Sequence, residues 1–217
     1  INSHHCLNGG VWRVPISMNS EFIEIYADDC EKGVVYSVSE NATLIYKAMF
    51  DLDFHGPERE KKERLAEYTS EIVETVKRFY PKTSERNVFK YIVCKAKDKK
   101  SKGEWKQGRH IIFPFLTITK GYGQTMVASI RAALEAKFGK RTDGFNSWKD
   151  VVDAGIHVTP HLRMVYSDKP EKCKKCPKVL KTTKAKTSDS VCDDQMCVRQ
   201  KIMTNRPYKP QMVMNGD

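Results

Sequence analysis

The stretch Met49-Phe50-Asp51-Leu52-Asp53-Phe54 decides how this chain is read. Acidic and apolar residues alternate through it, the period of a strand whose successive side chains point to opposite faces. Asp51 and Asp53 therefore share one face, and Leu52 and Phe54 turn to the other, toward a core. Two like charges side by side repel, and a cation between them offsets the cost. Hard carboxylate oxygens at that spacing suit magnesium or manganese, and paired ions of this kind serve phosphoryl and nucleotidyl transfer. The pair alone is a weak signal, because Asp-x-Asp also occurs at solvated strand ends and in turns.

The flanking sequence supplies a fold for that strand. Residues 34–39 are β-prone, and residues 43–54 lead into the acidic segment. After Pro57, Leu65, Tyr68, Ile72, Val76 and Phe79 recur at three- and four-residue steps, which predicts an amphipathic helix within residues 58–80, ended by Pro81. Residues 88–97 predict a strand, 98–103 a polar turn and 107–119 the returning strand of a hairpin. A second amphipathic helix follows over 124–138, closed by Gly139, and then two short strands at 151–156 and 162–167. This β-α-β-β-α-β order predicts an α+β fold, a mostly antiparallel mixed sheet with flanking helices.

Composition narrows the function. At 217 residues the chain holds one large domain, or one domain with an appendage. A formal charge of +11 favours a polyanionic partner, nucleic acid first. Apolar runs such as Ile111-Ile112-Phe113-Pro114-Phe115-Leu116 are far shorter than a bilayer span, so no membrane partner is expected. The chain opens without methionine or a basic-then-apolar start, which reads as a piece of a longer polypeptide. Past Ser167 the composition turns lysine-rich and poor in large apolar side chains. The expected organisation is a main domain over 1–169, a small ribbon over 170–203 and an extended tail or linker over 204–217.

Three further groups could carry chemistry. On the returning strand, Lys106, Gly108 and His110 share a face by period two, beside Arg109. An imidazole and an ammonium next to metal-binding carboxylates suit a triphosphate, and Gly108 leaves room for close approach. A basic hairpin rim touching solvent is the plainer alternative. Asp153, in Val151-Val152-Asp153-Ala154-Gly155, would give a two-metal site its third carboxylate, although capping or a turn is the default role of such an Asp. Arg163 and Lys169 lie on a strand and at its end, where they could clamp phosphates. Finally, Cys173-x₂-Cys176 and Cys192-x₄-Cys197 form two ligand pairs at zinc-ribbon spacing, enough for a closed tetrahedral structural zinc. Seven cysteines, an odd number, with these four crowded together, suit a metal site in a reducing compartment better than a disulfide framework.

The order Asp-x-Asp, strand His, lone Asp and Arg strand resembles the archaeo-eukaryotic primase superfamily, nearest to its PrimPol branch and to the herpes/pox-type primases of large DNA viruses. The resemblance covers about residues 45–200. Asp51 and Asp53 match the family's hydrophobic-Asp-x-(Asp/Glu) motif. Arg109 and His110 match Ser-x-His, with Gly108 in place of Ser, and Asp153, Ile156, Arg163 and Lys169 fit the third motif, with His157 where Tyr is usual. A second arginine found in PrimPol proteins is absent, since Pro160 occupies that stretch.

The resemblance implies an RRM-like primase core plus the zinc ribbon, with Asp51, Asp53 and Asp153 on catalytic Mg²⁺ or Mn²⁺. Lys106, Arg109, His110, Arg163, Ser167 and Lys169 would bind nucleotide. It further implies a single-stranded DNA template, NTP or dNTP substrates and an RNA or DNA primer as product. A replicative helicase would lie in the same longer chain, at work in the host cytoplasm or nucleus. The competing expectation is a catalytically silent, zinc-stabilised module that binds single-stranded nucleic acid. Charge and cysteines suit both readings; only the acidic triad separates them.

Overall fold

A computed structural model of the chain describes residues 3–6, 11–41, 43–83, 86–158, 161–168 and 209–214. They belong to two compact units, one built from residues 1–41 and 166–207, the other from 42–165 and 208–217. The described residues before 42 group with 166–168, and the described C-terminal residues 209–214 group with the main unit.

In the first unit, β1 (His4–Cys6) pairs antiparallel with β2 (Val11–Trp12) and with β3 (Val38–Asn41), and α1 (Asn19–Glu31) lies between β2 and β3 in sequence. Aromatic rings hold it together: Tyr26 packs on Tyr36 with centroids 5.2 Å apart, and Phe22 lies against both His4 and Trp12. Ser167 and Asp168 tie into the start of β3. The Val38 amide donates to Ser167 Oγ at 3.0 Å, and the Asp168 amide donates to the Tyr36 carbonyl at 2.7 Å.

The second unit begins with β4 (Ile45–Gly56), the strand the alternation predicts, and its even-numbered residues Tyr46 through Phe54 are buried. Then come α2 (Lys62–Arg78), β5 (Tyr91–Lys95), β6 (Lys99–Ser101), β7 (Glu104–Thr119), α3 (Lys120–Phe138), α4 (Trp148–Val151), β8 (Val152–Asp153) and β9 (His161–Arg163). A last strand, β10 (Lys209–Met214), completes it. The sheet order is β10-β5-β7-β4-β8, with β6 also on β7, and the pairs are antiparallel. Without β10 this is the split β-α-β arrangement, in which two crossovers leave the first and third strands central. The α+β expectation holds for this unit. The ribbon cysteines Cys173, Cys176, Cys192 and Cys197 lie outside the described residues.

Four segments differ from expectation. The strands expected over 151–156 and 162–167 are shorter, β8 at Val152–Asp153 and β9 at His161–Arg163, because Val151 ends α4 and Gly155–His157 form a turn of 3₁₀ helix. The stretch 98–103 is not all turn: β6 extends the hairpin, and the reversal contracts to Lys102-Gly103, both at positive φ (54° and 88°). A two-residue turn of that kind matches strand twist, and glycine takes its second position without strain. The expected tail contains β10, which pairs with β5 from Lys209↔Lys95 to Met214↔Tyr91 with a shift between Pro210 and Met212. Pro210 conceals it from a pattern search, because proline is compatible only with edge strands and bulges.

Helices α2 and α3 cover one sheet face. Phe50, Leu52, Ile111 and Phe113 from the central strands pack with Ile72, Val76, Ile130 and Leu134 from the helices, all 1 % exposed or less. Each fully buried side chain of this size contributes about 1.5–3 kcal/mol. Glu71 of α2 is also buried, and its carboxylate accepts from Arg78 at 3.0 Å and from Lys137 of α3 at 2.8 Å. Burial pushes its pKa up, but these two cations outweigh that and hold it below the ordinary range.

Candidate active site

The opposite sheet face carries the polar groups. Register across β7, β4 and β8 sets His110, Asp51 and Asp153 in one row, since Asp51 pairs with both of the others. Directly opposed side chains of antiparallel strands point the same way, with Cβ atoms about 4.5–5.5 Å apart. Asp53 is one side-chain repeat further along β4, opposite Gly108, and Lys106 one repeat beyond that, opposite His55. The structure thus brings Asp51, Asp53, Asp153, His110 and Lys106 to a common face.

Each group is held differently. His110 is buried, with Nε2 3.3 Å from Asp51 Oδ1. Asp153 Oδ1 accepts the Gly155 amide at 2.7 Å, an Asx-type turn that fixes its carboxylate. A Cβ on Gly155 would stand 3.0 Å from that oxygen, so glycine keeps the turn open. Behind the turn, the His157 ring is fully buried, stacked on Tyr46 and edge-on to Phe50 at 5.9 Å each, with Nδ1 2.8 Å from the Tyr46 hydroxyl. Burial pulls its pKa down to about 4, against the Asp153 charge and a backbone hydrogen bond at Met49. It therefore stays neutral at ordinary pH.

Sequence reasoning passed over the residues that hold this frame. Asn146 donates to the Asp53 carbonyl at 2.7 Å and accepts from the His55 amide at 2.9 Å, clasping β4 beside its second acid. Arg141 in turn donates to Asn146 Oδ1 at 2.8 Å and bonds to Glu60. The loop before α4, with one asparagine among residues 139–147, carries no pattern that signals such a role. The Asp153-x-Gly155 spacing, by contrast, is a legible turn signature.

Not every expected nucleotide-binding residue joins the row. Arg109 pairs in register with Leu52, so it lies on the helix-covered face, where its Nη1 is 3.8 Å from Asp98 Oδ1. Adjacent residues of a strand cannot share a face, and His110 holds the site side. Ser167 belongs to the first unit, fully buried, with its Oγ 2.9 Å from the Tyr26 hydroxyl. Arg163 is in β9 of the second unit, and Lys169 lies outside the described residues.

Whether the acids suit a divalent cation is answered by one atom. Asp51 Oδ1 is buried, and its contact with His110 Nε2 at 3.3 Å is not directed well enough to be a hydrogen bond. A buried carboxylate oxygen left in that state is costly, and a hard cation is its natural partner. The donor set fits magnesium or manganese. Among the described residues, though, no three His, Cys, Asp or Glu side chains are gathered closely enough to hold an ion between them. The carboxylates share a face without closing on one point.

Residues 3–184 match the family model described as the C962R protein N-terminal AEP domain. No curated protein matches the chain. Among the described residues no helix is long and apolar enough to cross a membrane. With the match covering most of its length, the chain belongs to this family of the archaeo-eukaryotic primase (AEP) superfamily, whose domains are nucleotidyltransferase-type primases acting on nucleic acid and nucleotides with divalent metals.

Proposed function

We propose that this chain is the catalytic domain of a primase-polymerase that makes primers on single-stranded DNA. The reading rests on the row His110–Asp51–Asp153, with Asp51 Oδ1 buried against the His110 ring, in a member of the AEP family. Asp51, Asp53 and Asp153 would hold the divalent ions. Bound there, such ions lower the pKa of an attacking hydroxyl and neutralise a departing pyrophosphate.

The chain's own groups do the positioning. Asp153 is oriented by the Gly155 amide, and Asp51 faces the His110 ring. Lys106 brings an ammonium to the same face for a phosphate, and Arg163 is a second candidate clamp. The bond that forms joins a 3′-oxygen to the α-phosphorus of the incoming nucleotide, and the α–β anhydride breaks. No side chain becomes covalently attached. The finer expectations belong to the same proposal: a structural zinc on Cys173, Cys176, Cys192 and Cys197, phosphate contacts from Lys169, and a replicative helicase in a longer viral polypeptide.

Nucleotide-dependence kinetics test the assignment. Lys106→Ala raises the KM for nucleotide about tenfold, the loss of one charge-assisted hydrogen bond. A folded Asp51→Asn/Asp153→Asn double variant loses incorporation altogether. Wild-type incorporation by that variant overturns the reading, and leaves a silent binding module in its place.

A further inference from the structure

The row of acids occupies only part of its sheet face. Toward the start of β4 the same face passes through Met49, which is buried, and then opens at Lys47 and Ile45, which pair with Thr117 and Thr119 of β7. Between Thr117 and Phe113 the register shifts: Ala48 pairs with Phe113 and Lys47 with Thr117, so β7 carries three extra residues, 114–116. Pro114 sits in this bulge, as proline within a sheet must. Leu116 turns into the core, but Phe115 projects outward, 64 % exposed. Ile45 is 60 % exposed, and Lys47, Thr117 and Thr119 are exposed as well.

An aromatic ring held out to solvent costs hydrophobic free energy, and a bulge that aims it there is a built feature. The ring lies on the third strand of a β-α-β-β-α-β sheet, beside the first. In other sheets of this topology, aromatics on those two central strands stack single-stranded bases. Lys47 supplies a cation beside it for a phosphate, and Lys120, also exposed, follows Thr119 directly. Lys47 is four residues from Asp51, or about 13 Å along the strand. That is the length of about four stacked nucleotides.

We propose that Ile45, Lys47, Phe115, Thr117 and Thr119 form a stacking platform for single-stranded nucleic acid. It rests on the nucleic-acid half of the reading above, and not on catalysis. Phe115 stacks on a base, Lys47 meets a phosphate, and the threonines flank the path. Stacking of this kind tolerates any base, because every base has a π-face.

The test is a titration of labelled single-stranded oligonucleotide with the full chain, at several salt concentrations and without divalent ions or nucleotide. Phe115→Ala weakens binding about 5- to 100-fold, the effect of removing one base–aromatic stack, without altering the salt slope. Lys47→Ala lowers the slope by about one. Phe115→Trp keeps the affinity, and its fluorescence is quenched by the oligonucleotide but not by a blunt duplex, whose bases are already stacked. Equal affinity of Phe115→Ala and wild type overturns the platform, as does an absence of single-strand binding. Concentration-dependent self-association abolished by Phe115→Ala, with oligonucleotide binding unchanged, overturns it too and makes the patch an interface between copies. If Phe115→Ala binds like wild type while both incorporate nucleotide, the platform fails and the primase reading stands. If only wild type binds tightly and neither incorporates, the platform stands and the primase reading fails.

Discussion

At the scale of single residues, the account turns on two carboxylates in register. Asp51 and Asp153 oppose each other on neighbouring strands, an arrangement that destabilises the fold when both are charged and no cation lies between them. Asp51→Asn should therefore stabilise the metal-free chain by about 0.5 kcal/mol while abolishing incorporation. Manganese should raise the melting temperature of wild type and leave the variant unmoved. Thermal melts with and without the ion check both. His157 makes a second residue-scale prediction. Its folded pKa is near 4 against an ordinary 6.5, so the unfolded chain takes up the proton first. Stability is then full above pH 6.5 and falls as the pH drops from 6.5 toward about 4. His157→Phe should flatten that limb of a plot of melting temperature against pH. The acids were legible in the sequence because period two puts Asp51 and Asp53 on one face whatever the fold. Asp153 needed tertiary pairing to meet them. Arg109 illustrates the reverse: the rule that aligned Lys106 with His110 also turns Arg109 away, and only the core on that side shows what it meets.

At the scale of elements, α2 was readable because Leu65, Tyr68, Ile72 and Val76 follow one stripe. Its link to α3 was not, since a lone Glu on a charged helix reads as solvated. Glu71→Ala should cost about 1 kcal/mol, because the Arg78 and Lys137 heads it leaves behind still reach water. The contribution is present above the ordinary glutamate pKa and is lost as the pH falls below it, because the folded pKa is depressed. Chemical denaturation of Glu71→Ala beside wild type, at neutral and acid pH, measures both. Gly123 of α3 gives an opposite lesson to the usual glycine-to-alanine gain in helices. A Cβ there would lie 2.4 Å from His157 Nδ1, a ring packed on Tyr46 and Phe50 with nowhere to retreat. Gly123→Ala should destabilise by about 1–3 kcal/mol and loosen the Asp153 turn, visible as faster amide exchange at Gly155. Strand β10 escaped the sequence entirely, since a proline-bearing segment acquires its strand only from the β5 edge it pairs with.

At the scale of the whole molecule, the proposal is of a protein that grips a polyanion and acts on it. The net charge of +11 argues for the polyanion without naming the reaction. Paired cysteines at ribbon spacing predict about one zinc per purified chain, measurable by elemental analysis. Cys173→Ser should lose that zinc and leave the core of the second unit folded, because the unit has its own buried helices and sheet. Family membership and the row on β7, β4 and β8 carry the rest. The most direct measurement is unprimed synthesis on a single-stranded DNA template with labelled nucleotides, with and without manganese, resolved by product length. The account predicts short, manganese-dependent products from wild type and none from a folded Asp51→Asn/Asp153→Asn chain. Products of equal yield from both proteins, or none from a zinc-loaded, folded wild type at any divalent-ion concentration, would contradict it.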